Sequence, residues 1–122
     1  MSEFDPAGIP QHVPGAKLDA GKLQPWLCIS GFSRALEEVV RVTTFGATKY
    51  SPGGWQHVDD GVHRYMEAFG RHAIKLGKGE KIDHDSRCLH KAQMIWNLLA
   101  SLELELRMEQ RGQNKTTDRS GE

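Results

Sequence analysis

Cysteine, aromatic side chains and long apolar runs are scarce in this chain, and net charge is absent. Its two cysteines, Cys28 and Cys88, lie far apart and form no CxxC pair. That spacing excludes a disulfide framework or a paired-cysteine zinc finger and suits a reducing compartment. Sixteen basic side chains balance sixteen acidic ones, so the formal charge is zero. A broad electrostatic grip on nucleic acid is therefore not expected, although local basic pockets for a small polyanion stay open. No apolar run approaches the roughly eighteen residues of a membrane span. The opening segment MSEFDPAGIPQHVPGAK also lacks the basic-then-apolar pattern of a secretory signal. The expectation is a soluble cytoplasmic protein, bound neither to membrane nor stably to nucleic acid.

What is present is one domain's worth of helical patterning in 122 residues. Residues 1–14, with Pro6, Pro10 and Pro14 and little periodicity, read as a flexible arm. The folded domain is placed at 15–106. The polar end, 107–122, is expected to be disordered.

Apolar spacing predicts three helices. The first runs from about Ser30, as N-cap, to Ala47, with Phe32, Leu36, Val39, Val40 and Thr43 on one stripe. The second runs from about Gly61 to Gly77, through Val62, Tyr65, Met66, Phe69, Ala73 and Leu76. The third runs from near Ser86 to about Arg107, through Ala92, Ile95, Leu99, Leu102 and Leu106. No segment alternates with period two, so the fold class is all-α. Met94, Leu98, Leu104 and Met108 make the third helix apolar on a second side. A helix apolar on two sides is buried between partners, which predicts a homo-oligomer.

Polar groups interrupt these faces. His90 and Asn97 stand seven residues apart, hence about 20° apart around the axis, and Ser101 extends their line. Buried polar groups need partners, here either hydrogen bonds across an oligomer seam or a ligand. On the first helix Glu38 falls nearly opposite the stripe beside Arg34 and Arg41, as an exposed ion-paired face, while Glu37 flanks the stripe toward a cleft. On the second, Glu67 sits beside core positions and requires Arg71 or a divalent cation; His63 shares its flank and His72 faces the other.

The loop KGEKIDHDS sets Asp83 and Asp85 around His84, with Ser86 as cap of the next helix. Two carboxylates there serve as helix-terminal acids or as oxygen ligands for Mg²⁺ or Mn²⁺. An HD-type phosphohydrolase needs a later helical aspartate, and only Asp118 follows Asp85. A zinc site from His84, Cys88 and His90 lacks an evident fourth ligand.

Three segments then align: KLDAGK at 17–22, LEEVVRVTTFGATKYSPGGW at 36–55, and RYMEAFGRHAIKLGKGEKIDHDSRCLHKAQMIWNLL at 64–99. Together they resemble the phage dATP/dGTP diphosphohydrolase N-terminal family, related to the MazG-like all-α NTP pyrophosphohydrolases. The resemblance implies a MazG/HisE-like helical bundle assembled as a homo-dimer or homo-tetramer, with two or three Mg²⁺ or Mn²⁺ ions. It implies a metal-dependent (d)NTP pyrophosphohydrolase, converting dGTP or dATP to dNMP and diphosphate in the cytoplasm of a phage-infected cell and serving nucleotide-pool remodelling and 2-aminoadenine synthesis. The residue assignments that follow are Glu37 and Glu38 as ligands or water-positioning base, and Lys22 and Lys49 on phosphate. Trp55 or Tyr50 would stack on the base, and His90 or Asn97 would read its edge or the sugar. Arg71 and His72, from the Arg-His pair of the pattern, would also contact substrate.

The chain departs from the MazG pattern at its third acidic position, held by Arg41, and at the final aspartate, held by Asn97. Gln93 or Met94 stands near the other acidic position. Glu67, Asp83 and Asp85 are then the oxygen donors available to complete the metal set. The alternative is a non-catalytic helical module that oligomerises or binds a partner through the third helix.

Overall fold

A computed structural model describes residues 2–113 of the protein. The chain divides into two compact units, Met1–Phe32 and Ser33–Glu122. The architecture is all-helical, and among the described residues the only β feature is an isolated antiparallel bridge, Ile82↔Leu89. No described helix is long and apolar enough to cross a membrane.

The first unit begins with the segment read as a flexible arm, which instead carries its own hydrogen-bonded turns. The Asp5 carboxylate is buried and accepts backbone N–H bonds from Ala7 and Lys17, each at 2.7 Å. One short helix follows, α1 (Pro25–Gly31), with proline in its first turn. The predicted first helix is thus interrupted. Ser30 does not cap it: its hydroxyl donates to the Trp26 carbonyl at 2.6 Å, inside α1. Phe32 then leaves helical geometry at φ −112° and ψ 25°.

The second unit holds α2 (Ser33–Lys49), a 3₁₀ turn at Gly54–His57, α3 (Gly61–Gly77) and α4 (His90–Gln113). The helix α4 packs along α3 and, over a shorter stretch, against α2. It begins four residues later than the sequence suggests, because residues 81–90 first fold back on themselves. Asp83 N–H donates to Cys88 O at 2.9 Å and His90 N–H to Lys81 O at 3.0 Å, flanking the Ile82↔Leu89 bridge. It also runs on into the expected tail: residues 107–113 are helical, and the remainder lies outside the described residues.

The side of α4 buried within the chain differs from the expected apolar stripe. Ala92, Ala100 and Ser101 are buried together with Gln93 and Asn97, whereas Leu99 and Leu102 are each 50% exposed. Small side chains let α3 approach closely, and Ser101 donates to the Val62 carbonyl of α3 at 2.8 Å. Helix α4 also comes against Gly61, where an added Cβ would lie 2.6 Å from a Leu104 methyl, so the end of that leucine side chain would have to shift to admit one. The rotation of α3 also exposes Met66 and Glu67, so the carboxylate expected beside the core faces outward.

Candidate functional site

The stretch FGATKYSPGGW meets the loop after α3 through Lys49. Its first half is helical, since α2 runs through Gly46 to Lys49. Pro52 and Gly53 (φ 73°, ψ 1°) then make a turn closed by Gly54 N–H to Ser51 O at 3.1 Å. Proline followed by a left-handed glycine fits a type II turn. Lys49 at the helix end donates to Asp85 Oδ2 at 2.8 Å. Its ammonium also lies 5.4 Å from the Tyr50 ring centre and 5.7 Å from that of Phe45. The bond to Asp85, followed by Tyr50, raises the Lys49 pKa above its ordinary value.

Asp85 connects this stretch to an interior cluster through its own backbone, whose N–H donates to Asp83 Oδ1 at 3.1 Å. Asp83 is buried, and its Oδ2 accepts from the Ser86 hydroxyl at 3.2 Å. Ser86 therefore holds the loop, not the first turn of α4. Burial raises the Asp83 pKa, but the Asp85 N–H, the Gln93 amide, the Ser86 hydroxyl and nearby His72 together leave it lowered.

Behind Asp83 two imidazoles meet, with His72 Nδ1 2.8 Å from His90 Nδ1. The His90 side chain is fully buried, and its Nε2 lies 2.5 Å from a Glu80 carboxylate oxygen. A carboxylate only accepts, so His90 donates from Nε2. In a neutral His90 ring Nδ1 is then an acceptor, and His72 donates to it. Burial, then His90, push the His72 pKa down, while Asp83 pulls it up. The bond from His90 lowers the Glu80 pKa. His72, Asp83 and His90 each offer a ligand atom within 4.8 Å of the others, the one such group of three or more His, Cys, Asp or Glu among the described residues.

The other expected site residues are dispersed. Glu37 and Glu38 both face Arg41, at 3.9 and 3.2 Å. Their orientation reverses the angular expectation, for the Glu38 side chain is 34% exposed and that of Glu37 70%. Packing of α2 against α4 turns the Glu38 side of the helix inward. Glu38 precedes Lys49 by eleven residues, about 16 Å along the helix axis. Glu67 and Arg71 are exposed on α3.

Trp55 meets Trp96 edge-on at 5.9 Å, accepts the Tyr65 hydroxyl on its carbonyl at 2.9 Å, and lies beneath the Arg107 guanidinium. Tyr50, by contrast, is 78% exposed. Asn97 donates within α4 to the Gln93 carbonyl at 2.8 Å. Lys22 belongs to the first unit, where it pairs with Glu3 at 3.2 Å. Of the zinc alternative only His90 joins the cluster. His84 is exposed and lies 3.4 Å from Glu80, while Cys88 Sγ faces Ser86 O.

The sequence points to Gln93 only as standing near an acidic position of the MazG pattern, and to Glu80 not at all. Gln93 lies one helical turn before Asn97 and was legible as part of the same polar line. Glu80 had no periodic signal, because only the closure of residues 81–90 brings it to His90.

These features define an all-helical domain with an ion-paired rim and an imidazole–carboxylate cluster beneath it. The chain belongs to the family described as dATP/dGTP diphosphohydrolase, N-terminal, whose model matches residues 12–116. Comparison with curated proteins and with solved structures returned no match.

Proposed function

We propose that the protein hydrolyses a purine deoxynucleoside triphosphate, dGTP or dATP, to the monophosphate and diphosphate. The observation that carries this reading is the family match across nearly the whole chain. Water oxygen bonds to the α-phosphorus, the bond to the bridging oxygen of the β-phosphate breaks, and diphosphate leaves. Such chemistry rests on positioning and charge neutralisation. Lys49, at the mouth of the α2–α3 connection, exchanges Asp85 for phosphate oxygens, and Asp85 is thereby freed. Tyr50, the more exposed of the two candidate aromatics, stacks on the base. Glu37 or Glu38, about 16 Å along α2 from Lys49, accepts the proton of the attacking water in a site completed by a neighbouring subunit.

Mg²⁺ or Mn²⁺ is part of the proposed reaction, but the carboxylates assigned to it do not fit a shared ion within one chain. Glu37 and Glu38 neutralise Arg41, Asp85 neutralises Lys49, and Asp83 sits among imidazoles. The proposed working form is accordingly a homo-dimer or homo-tetramer, and the exposed apolar residues of α4 support assembly. The same exposed face supports the second reading, a non-catalytic assembly module.

The test incubates the protein with each dNTP, with Mg²⁺, with Mn²⁺ or with chelator, and separates the products. One dNMP and one diphosphate per dGTP or dATP consumed supports the proposal. Orthophosphate release, or no turnover in any arm, rejects it. Unchanged activity in folded Glu37→Gln and Glu38→Gln would remove those two residues from the mechanism.

A further inference from the structure

We propose that His72, Asp83 and His90 bind one divalent ion of the first transition row, such as Zn²⁺ or Co²⁺. The three come from α3, the loop after it and the first residue of α4, and their ligand atoms converge within 4.8 Å. This goes beyond the hydrolase reading and uses none of its activity.

The two Nδ1 atoms face each other at 2.8 Å. Two lone pairs aimed at one another repel, so either a proton or a cation lies between them. A proton satisfies the pair alone, whereas the third donor, Asp83, gives the point of convergence the composition of a cation site. Zinc–nitrogen bonds of about 2.0–2.1 Å place two tetrahedral ligands about 3.3 Å apart. Loading therefore opens the pair by about half an ångström, within reach of small side-chain adjustments.

The surroundings orient each ligand. Glu80 accepts from His90 Nε2, so the opposite nitrogen, Nδ1, carries the lone pair. A carboxylate behind a histidine in this way fixes the tautomer and raises ligand basicity. Asp83 is fixed by Asp85 N–H, the Ser86 hydroxyl and the Gln93 amide, and three accepted bonds leave one of its carboxylate lone pairs for a cation. Two imidazoles and one carboxylate favour a borderline ion over Mg²⁺, which takes oxygen ligands. The ion would bind the loop to both helices, and its binding free energy would add to the stability of the folded chain.

Tag-free full-length protein, stripped with chelator and dialysed, is titrated with Co²⁺ and followed by visible absorption and metal analysis. One Co²⁺ per chain is expected, with d–d bands that an equivalent of Zn²⁺ abolishes and millimolar Mg²⁺ leaves intact. Zn²⁺ should also raise the melting temperature. His72→Gln and Asp83→Asn, checked for helical circular dichroism, should weaken Co²⁺ binding by more than about tenfold. Glu80→Gln should weaken it less, and His84→Gln not at all. Wild-type protein that retains neither ion overturns the proposal, as does an unchanged Co²⁺ spectrum in the folded His72 and Asp83 variants. Should one variant fail to fold, the other and the wild-type titration still decide.

Discussion

Lys49 spends its charge on Asp85, and the exposed setting of that pair means the bond is readily exchanged for a phosphate. Under the proposed function Lys49→Ala should raise KM for the triphosphate about tenfold or more, with a smaller effect on folding, as steady-state kinetics and thermal melts would show together. Arg87 is a separate kind of residue, holding a left-handed backbone at φ 63° in the middle of the folded-back loop. Non-glycine residues are disfavoured there, so Arg87→Gly should stabilise the protein by about 0.5–1 kcal/mol in urea denaturation.

Asp5 carries the clearest pH dependence outside the imidazole cluster. The Lys17 N–H foremost, with those of Ala7, Ile9 and Gly8, holds its pKa below the ordinary 3.8, against the opposing effect of burial. A depressed carboxylate contributes stability that is present above its ordinary value and lost as pH falls through the depressed one. Amide exchange at Ala7 and Lys17 should therefore accelerate at the acid end of that window, and Asp5→Asn should remove the transition.

At the scale of elements, α3 was the most legible part of the chain: the glycines at 61 and 77 mark its observed ends. Gly61 does more than start the helix, because Leu104 of α4 occupies the space a Cβ would need. The obstacle is the movable end of a leucine side chain and alanine favours the helix, so Gly61→Ala should change stability by no more than about 1 kcal/mol, read as a small midpoint shift at unchanged slope in denaturation. The break between α1 and α2 was not legible, since the apolar spacing runs continuously across Gly31 and Phe32. The inward side of α4 misled for another reason. Periodicity ranks faces by hydrophobicity, whereas α3 packs against the side of α4 with the smallest side chains. Trp55, which the resemblance offers with Tyr50 as one of two aromatics for a substrate base, has Trp96, Tyr65 and Arg107 as neighbours in the fold.

For the whole molecule, the main consequence is an α4 whose larger aliphatic residues remain outside the chain's own core. Ile95, Leu98, Leu99 and Leu102 are between 39% and 50% exposed. If the protein works as the proposed homo-oligomer, Leu99→Glu with Leu102→Glu should yield a helical monomer in light scattering coupled to size exclusion. Unaltered mass would separate this face from assembly. Overall architecture was readable because helical spacing is a local property. The cluster was not, since it depends on where a loop of ten residues ends.

That loop sets a rule for how the gene can change length. Residues 81–90 return the chain to Glu80 by a single bridge at Ile82 and Leu89. Inserting or deleting one residue there would rotate α4 against its own entry point and detach the carboxylate from the imidazole it orients. The Ser51–Gly54 turn closes on itself through Gly54 N–H and Ser51 O, ahead of the anchored Trp55 and Gln56. Length variation among natural variants should accordingly collect within that turn and avoid the connection before His90.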